Sequence, residues 1–245
     1  QLEQLNKFIN TIINKIMAAH EAHAHHDAHG HHNHEEGFIS KYIFSQDHKM
    51  IGKQFLMTAV FMGLIAMMLS ILFRIQLAWP GEQSDFLSFF LGEWAPKGVM
   101  TESMYLGLVT IHGTIMVFFL LTGGLSGTFS NLLIPLQIGA RDMASGLLNM
   151  LSYWMFLISS IIMVVSLFIE TGPASSGWTI YPPLSALPDA IEGSGKGMTM
   201  WLISMTIFIA SSLLGSLNYI VTILNLRTRD RKSTRLNSSH LGISR

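Results

Sequence analysis

The chain has 245 residues, 49% of them hydrophobic and 12% charged, and its 15 Lys and Arg balance 15 Asp and Glu. An ordinary soluble domain carries about 25% charged residues, so this deficit, with a mean hydropathy of +0.41, points to a bilayer as solvent. The zero net charge offers no footing for nucleic acid, and the absence of cysteine excludes a disulfide framework and a thiolate metal site.

In chain order, residues 1–16 do not open on Met, and Met17 begins a segment of different composition, so 1–16 is expected to be translated upstream sequence. Residues 17–37 are expected to form a disordered cytoplasmic tail rich in histidine: His20, His23, His25, His26, His29, His31, His32 and His34. Imidazole suits copper, zinc or nickel, so the tract could hold or buffer metal. Its lack of fixed ligand spacing equally suits a solvated tail without a defined site.

Four stretches then carry no charged residue: Gln54 to Phe73, Ser103 to Ala140, Met143 to Ile169 and Gly197 to Leu226. A helix needs about 20 apolar residues to cross a hydrocarbon core of about 30 Å. The pattern predicts an all-α membrane protein, a polytopic bundle with transmembrane helices at about 53–74, 102–136, 146–169 and 198–226. The second helix is long, and GGLSGTFS at 123–130 predicts a bend or a close helix approach there. Lys41, Lys49 and Lys53, then Arg141, then Arg227 and Arg229 flank one set of helix ends, and the carboxylates concentrate at the other. By the positive-inside rule the N-terminus and the Asp142 loop face the cytoplasm. Trp79, Trp94, Trp178 and Tyr181 then form an aromatic belt at the outer boundary. The last residues, 230–245, begin DRKSTRLNSSH, which resembles a translated sequencing-library adapter and is expected to be an artefact; a disordered cytoplasmic tail is the other reading.

Within this frame a few residues carry chemistry. His112 lies inside the second helix, ten positions from the nearest charge, Glu102, or about 15 Å along the axis. An intramembrane ionisable group points to function, and a neutral imidazole there is a good axial ligand for haem iron. Tyr105 and Met116 share its face, and Gly113 leaves room for a flat macrocycle. A histidine bonded to a neighbouring helix is the plain alternative. Asp142, between the second and third helices, reads either as a loop carboxylate paired with Arg141 or as the mouth of a proton pathway. Asn131 and Asn149 are amides near the inner helix ends that could hold ordered water. Arg74 could snorkel or donate to a polar haem substituent. Trp178, in GWTIYPPLSALP, could anchor at the interface or donate from its indole.

The strings FSQDHKMIGKQF, ILFRIQLAWPG, IHGTIMVFF, SNLLIPLQIGARDMASGLLNMLSYW, GWTIYPPLSA and LLGSLNYIVTILNLR follow in order over roughly residues 38–229. Together they resemble subunit I of bacterial haem–copper cytochrome c oxidases. The resemblance implies that His112 is an axial ligand of the low-spin haem. It implies that Arg74 bonds that haem's formyl group, and that Tyr105 and Trp178 lie beside the macrocycle and its propionates. It further implies that Asp142, Asn131 and Asn149 form a proton-uptake pathway. The parent would be a catalytic subunit of about twelve helices in the bacterial inner membrane, assembled with subunits II and III. It would take electrons from cytochrome c, and this chain would supply its first four helices. A second haem and the copper would belong to the full-length parent only, and the 245-residue chain alone would be inactive. Three departures stand out: Gln76 where many members carry Glu near an outer cation site, Ser145–Gly146 for a common Phe-Pro, and Met150 for a second Asn. A quinol oxidase subunit I of the same superfamily is the near alternative, and a haem-free membrane transporter or scaffold the distant one.

Overall fold

The computed structural model describes residues 42–169 and 172–227. The expected upstream segment 1–16, the His-rich 17–37 and the expected artefact 230–245 lie outside the described residues, and every candidate site residue lies within them. Every regular element among the described residues is helical. Four helices are long and apolar enough to cross a membrane: α1 (His48–Ala78), α3 (Glu102–Ile138), α4 (Gly146–Phe168) and α5 (Lys196–Asn225). The short α2 (Asp85–Leu91) sits in the connection between α1 and α3.

Local chemistry sets the helix starts. The side chains of Asp47, Ser84, Thr101 and Ser145 accept from Lys49, Leu87, Met104 and Leu148 backbone N–H groups at the heads of α1 to α4, satisfying donors that no preceding turn can reach. Helix α5 starts differently, because its N-cap is Gly195 and no side chain caps it. At the far end of α3, Gly139 adopts a left-handed conformation (φ 76°), which glycine takes without steric cost and which turns the chain toward Asp142.

Helix α1 buries His48, Ile51, Phe55, Ala59, Met62, Ala66 and Leu69, a run at helical three-and-four spacing. Its other face exposes Met57, Val60, Phe61, Leu64 and Met67. Both faces are apolar, as a membrane helix allows, and small residues mark the inward one. The glycines of 123–130 act through close approach. A Cβ on Gly124 would strike Ala59 of α1, one on Gly127 would lie 2.6 Å from Phe55, and one on Gly123 would lie 2.5 Å from Phe156 and 2.8 Å from Phe208. Over Ile115–Leu125, a stretch that includes Gly123 and Gly124, α3 changes hydrogen-bond register and runs as a π-helix.

Helices α4 and α5 are stitched by serines. Ser159 Oγ donates to the Ser204 carbonyl at 2.7 Å, Ser204 Oγ returns a bond to the Ser159 carbonyl at 2.8 Å, and Ser211 Oγ donates to the Ser152 carbonyl at 2.6 Å. Where lipid tails are as apolar as any side chain, such bonds and close packing hold helices together. Phe55, Phe119, Phe156 and Phe208 pack mid-bundle with ring centroids 5.1 to 6.2 Å apart. This aromatic layer separates two polar regions, one at each end of the bundle. Of the residues expected to form an aromatic belt, Trp79, Trp178 and Tyr181 are exposed. Trp94 departs from it: it packs against the core, its ring under Gly172, because the connection carrying α2 folds back over the bundle end.

Candidate functional site

At one end, His112 projects from the α-helical first half of α3 (Glu102–Thr114). Its Nδ1 lies 2.8 Å from the backbone carbonyl of Ala66 on α1. A carbonyl can only accept, so Nδ1 carries the proton and Nε2 keeps its lone pair. One ring nitrogen is anchored and the other is free to ligate, which is how metal-binding imidazoles are oriented by a carbonyl behind them. The Phe73 ring meets His112 edge-on at 5.4 Å and Tyr105 at 6.2 Å, bringing these three together. A Cβ on Gly113 would lie 3.7 Å from Trp178, so the indole stands over the bare backbone next to His112. Threonines on α3 tie that loop and α5 to the helix. Gly177 N–H donates to Thr110 Oγ1 at 3.0 Å, and Trp201 Nε1 donates to Thr114 Oγ1 at 3.0 Å, one threonine two residues before His112 and the other two after.

The residues present fit a flat, iron-bearing macrocycle: an oriented imidazole, aromatic walls, a missing side chain at Gly113 and an open apolar face. Arg74, next to Phe73, is exposed and has no hydrogen-bond or ion-pair partner among the described residues, so its guanidinium is available to an acceptor on a bound group. Met116, four residues after His112, is 37% exposed. The other histidine among the described residues, His48, lies at the opposite end of α1, so a second imidazole ligand does not come from them.

At that opposite end, Asp142 is exposed in the turn between α3 and α4. Its Oδ1 accepts from His48 Nδ1 at 2.8 Å and from Met143 N–H at 2.7 Å. The pairing with Arg141, one of the two readings of this residue, does not form; Asp142 and Asp47 instead both lie within reach of His48 Nδ1, at 2.8 Å and 3.4 Å, and His48 is buried at the head of α1. The reason is geometric: the turn after Gly139 points the carboxylate inward at α1, and neighbours in sequence diverge there.

Behind Asp142 lie the amides. Asn131 and Asn149 are both fully buried. Asn149 Nδ2 donates to Asn131 Oδ1 at 2.5 Å, and Asn131 Nδ2 donates to the Gly127 carbonyl at 2.7 Å and reaches Tyr219 Oη at 3.3 Å. Two more side chains join them that sequence reading missed. Asn218 Oδ1 accepts from Ser145 N–H at 3.0 Å, and Thr222 Oγ1 accepts from Ala144 N–H at 2.9 Å, pinning the Asp142 turn to α5. Their signal was present: Asn218 and Thr222 stand four apart, on one helix face, inside a charge-free span. Asn149 Oδ1 and Asn218 Nδ2 are buried without a protein partner, an acceptor and a donor of the kind ordered water satisfies. Deeper still, a cavity of 40 Å³ lies between Tyr219 and the phenylalanine layer, edged by Ser126, Ser152, Ser211 and Ser216. It has room for about three waters. Along the helices, Asp142, the asparagines and these hydroxyls thus lie at successive depths from the surface toward mid-bundle.

The sequence profile of the family described as cytochrome c and quinol oxidase polypeptide I matches residues 50–240. Among curated proteins, the chain is 40% identical over 210 residues to the alternative cytochrome c oxidase subunit 1 of Bradyrhizobium diazoefficiens, covering 86% of this chain and 33% of that one. It is 38% identical over 190 residues to the heme-copper oxidase subunit I+III of Aeropyrum pernix, covering 78% of this chain and 21% of that one. The chain therefore spans a third or less of the length of these relatives.

Proposed function

Because the chain belongs to the cytochrome c and quinol oxidase polypeptide I family, we propose that it is the N-terminal part of the catalytic subunit of a respiratory terminal oxidase. That enzyme reduces oxygen to water with electrons from cytochrome c, using haem and copper, and couples this to proton translocation. We infer a bacterial cytoplasmic membrane, the Asp142 end and the N-terminus facing the cytoplasm, and subunits II and III as partners. The relatives' names favour cytochrome c over a quinol as donor.

The observation that carries the reading is the anchored His112, whose Nδ1 bond to Ala66 leaves Nε2 as a ligand. His112 would hold the low-spin haem iron, Tyr105 and Trp178 would line the macrocycle, and Arg74 would donate to a polar substituent. A haem held there would supply a one-electron carrier. The chain's own contribution is to fix the ligand's tautomer and to keep the site dry, which raises or lowers the potential. At the other end Asp142 would collect protons, and Asn131 and Asn149 would order water that passes them inward. In the full-length protein, His112→Ala should abolish the six-coordinate low-spin signal in the reduced-minus-oxidised spectrum. A variant that keeps that signal with normal oxygen uptake would return His112 to a structural bond with α1.

A further inference from the structure

Helix α5 is unlike the other long helices in beginning on an uncapped glycine, Gly195. The first helical N–H groups, of Lys196 and Gly197, have no acceptor among the described residues, and the macrodipole puts partial positive charge there. An open cleft of 760 Å³ lies against this helix start. Four of its lining side chains are polar; Ser185 is spent on the Ile180 carbonyl at 2.7 Å, and the other three point to one ligand chemistry. Among the described residues that line the cleft, Lys196 is the only charged one, and it has no ion-pair partner among the described residues. Ser194 lines the cleft, is 5% exposed, and its Oγ is buried without a hydrogen-bond partner. Thr199 adds a hydroxyl one turn along. The nearby Glu192 does not line the cleft; its carboxylate accepts from Ser103 Oγ at the head of α3, at 2.5 Å.

An orphaned hydroxyl, an unpaired ammonium and an uncapped helix start together select an anion with several acceptor oxygens. Apart from Ser185, the remaining side chains of the cleft are apolar, among them Ile169, Met200 and Leu202. A free anion has no use for that apolar lining. We propose that this cleft is a phospholipid site, with the headgroup phosphate at Ser194, Lys196 and the α5 N-terminus and an acyl chain along Ile169, Met200 and Leu202. The lipid caps α5 in place of the side chain that its sequence lacks.

The test is lipid retention by the detergent-purified protein, stripped and then re-exposed to phosphatidylglycerol, counted by native mass spectrometry. One phosphatidylglycerol should survive on the wild type, and diacylglycerol, which lacks the phosphate, should not. Lys196→Gln should weaken retention about tenfold or more, the loss of one hydrogen bond to a charged group. Lys97→Gln, a lysine removed from another loop at the same end, should leave it unchanged. Leu202→Trp, which keeps the phosphate contacts but fills the apolar part of the cleft, should also weaken retention, and the helical circular dichroism of each variant checks its fold. Retention that is indifferent to Lys196→Gln and Leu202→Trp overturns the proposal. So does displacement of the lipid by millimolar inorganic phosphate, which would make this a site for free anion.

Discussion

Asp142→Asn in the intact oxidase separates the two things the carboxylate does. Structurally it accepts two hydrogen bonds on Oδ1, from His48 at 2.8 Å and Met143 N–H at 2.7 Å. An amide oxygen can accept both. What is lost is the charge assistance of a half-exposed pair, about 1 kcal/mol or less, so the melting temperature should fall by no more than about 2–4 °C. Functionally the amide cannot take up and release the proton. If Asp142 is the uptake group, turnover should fall about a hundredfold, the low end of what a positioned proton donor or acceptor contributes. Oxygen consumption with reduced cytochrome c measures the second effect, and thermal unfolding in detergent the first. The haem spectrum should not change, because His112 lies beyond the phenylalanine layer. Turnover within twofold of wild type, on a correctly folded variant, would refute the proton-uptake role. Equal losses of turnover and of melting temperature would make Asp142 a turn-stabilising residue instead.

Asn149→Leu should cost about 1–3 kcal/mol, because it strips Asn131 Oδ1 of its donor in a fully buried site; thermal melting reads this, and turnover should drop with it. Gly124→Val should lower the yield of folded protein and cost at least about 1–3 kcal/mol, since the new side chain drives into Ala59; Ala59→Gly in the same chain should recover part of that loss. Ser159→Ala and Ser204→Ala should each cost about 1 kcal/mol. The double variant should cost less than the sum, because the two serines exchange bonds; additive losses in a double-mutant cycle would show the pair to be uncoupled.

The four spans were legible because the bilayer tolerates so little charge that its absence alone marks them. His112 was legible for the same reason, as a polar atom where none is cheap. Asp142 with Asn131 and Asn149 was placed at one end of the bundle by counting along the chain, and that count suffices for depth. It does not suffice for direction. In a soluble helix the hydrophobic face points inward, but α1 buries Met62 and exposes Phe61 and Met67, so hydropathy could not say which side packs. That is why His48, on the inward face, went unrecognised as the partner of Asp142, and why Arg141 was weighed in its place. Adjacency in sequence is a poor guide at a turn, whereas the pairing of residues 48 and 142 needs the packing of α1 on α3. The interior serines and Asn218 were missed for the same reason: each is an ordinary small polar residue until a second helix is set against it.

The least legible feature is the π-helical stretch of Ile115–Leu125, and it sets how the two ends of α3 relate. Before it the buried positions are Met104, Leu108, Ile111 and Ile115, at the spacing of an α-helix. Across it they run Ile115, Phe119 and Gly124, the last step being five residues. After it Thr128, Asn131 and Pro135 resume the shorter spacing. Backbone bonds that skip one more residue, as a π-helix has, account for the change; the Thr122 hydroxyl takes the same five-residue step, donating to the Val117 carbonyl at 2.7 Å. In an unbroken α-helix the step after Phe119 would be four residues, and everything beyond it would turn by one position, about 100°. Gly123 would then meet α1 in place of Gly124, and Ser130 would face Asn149 in place of Asn131. A serine offers one rotatable hydroxyl there, whereas the amide both accepts from Asn149 and donates onward to Gly127 and Tyr219. The extra residue of the π stretch is thus what lets one helix present an imidazole toward one end and a correctly phased amide toward the other.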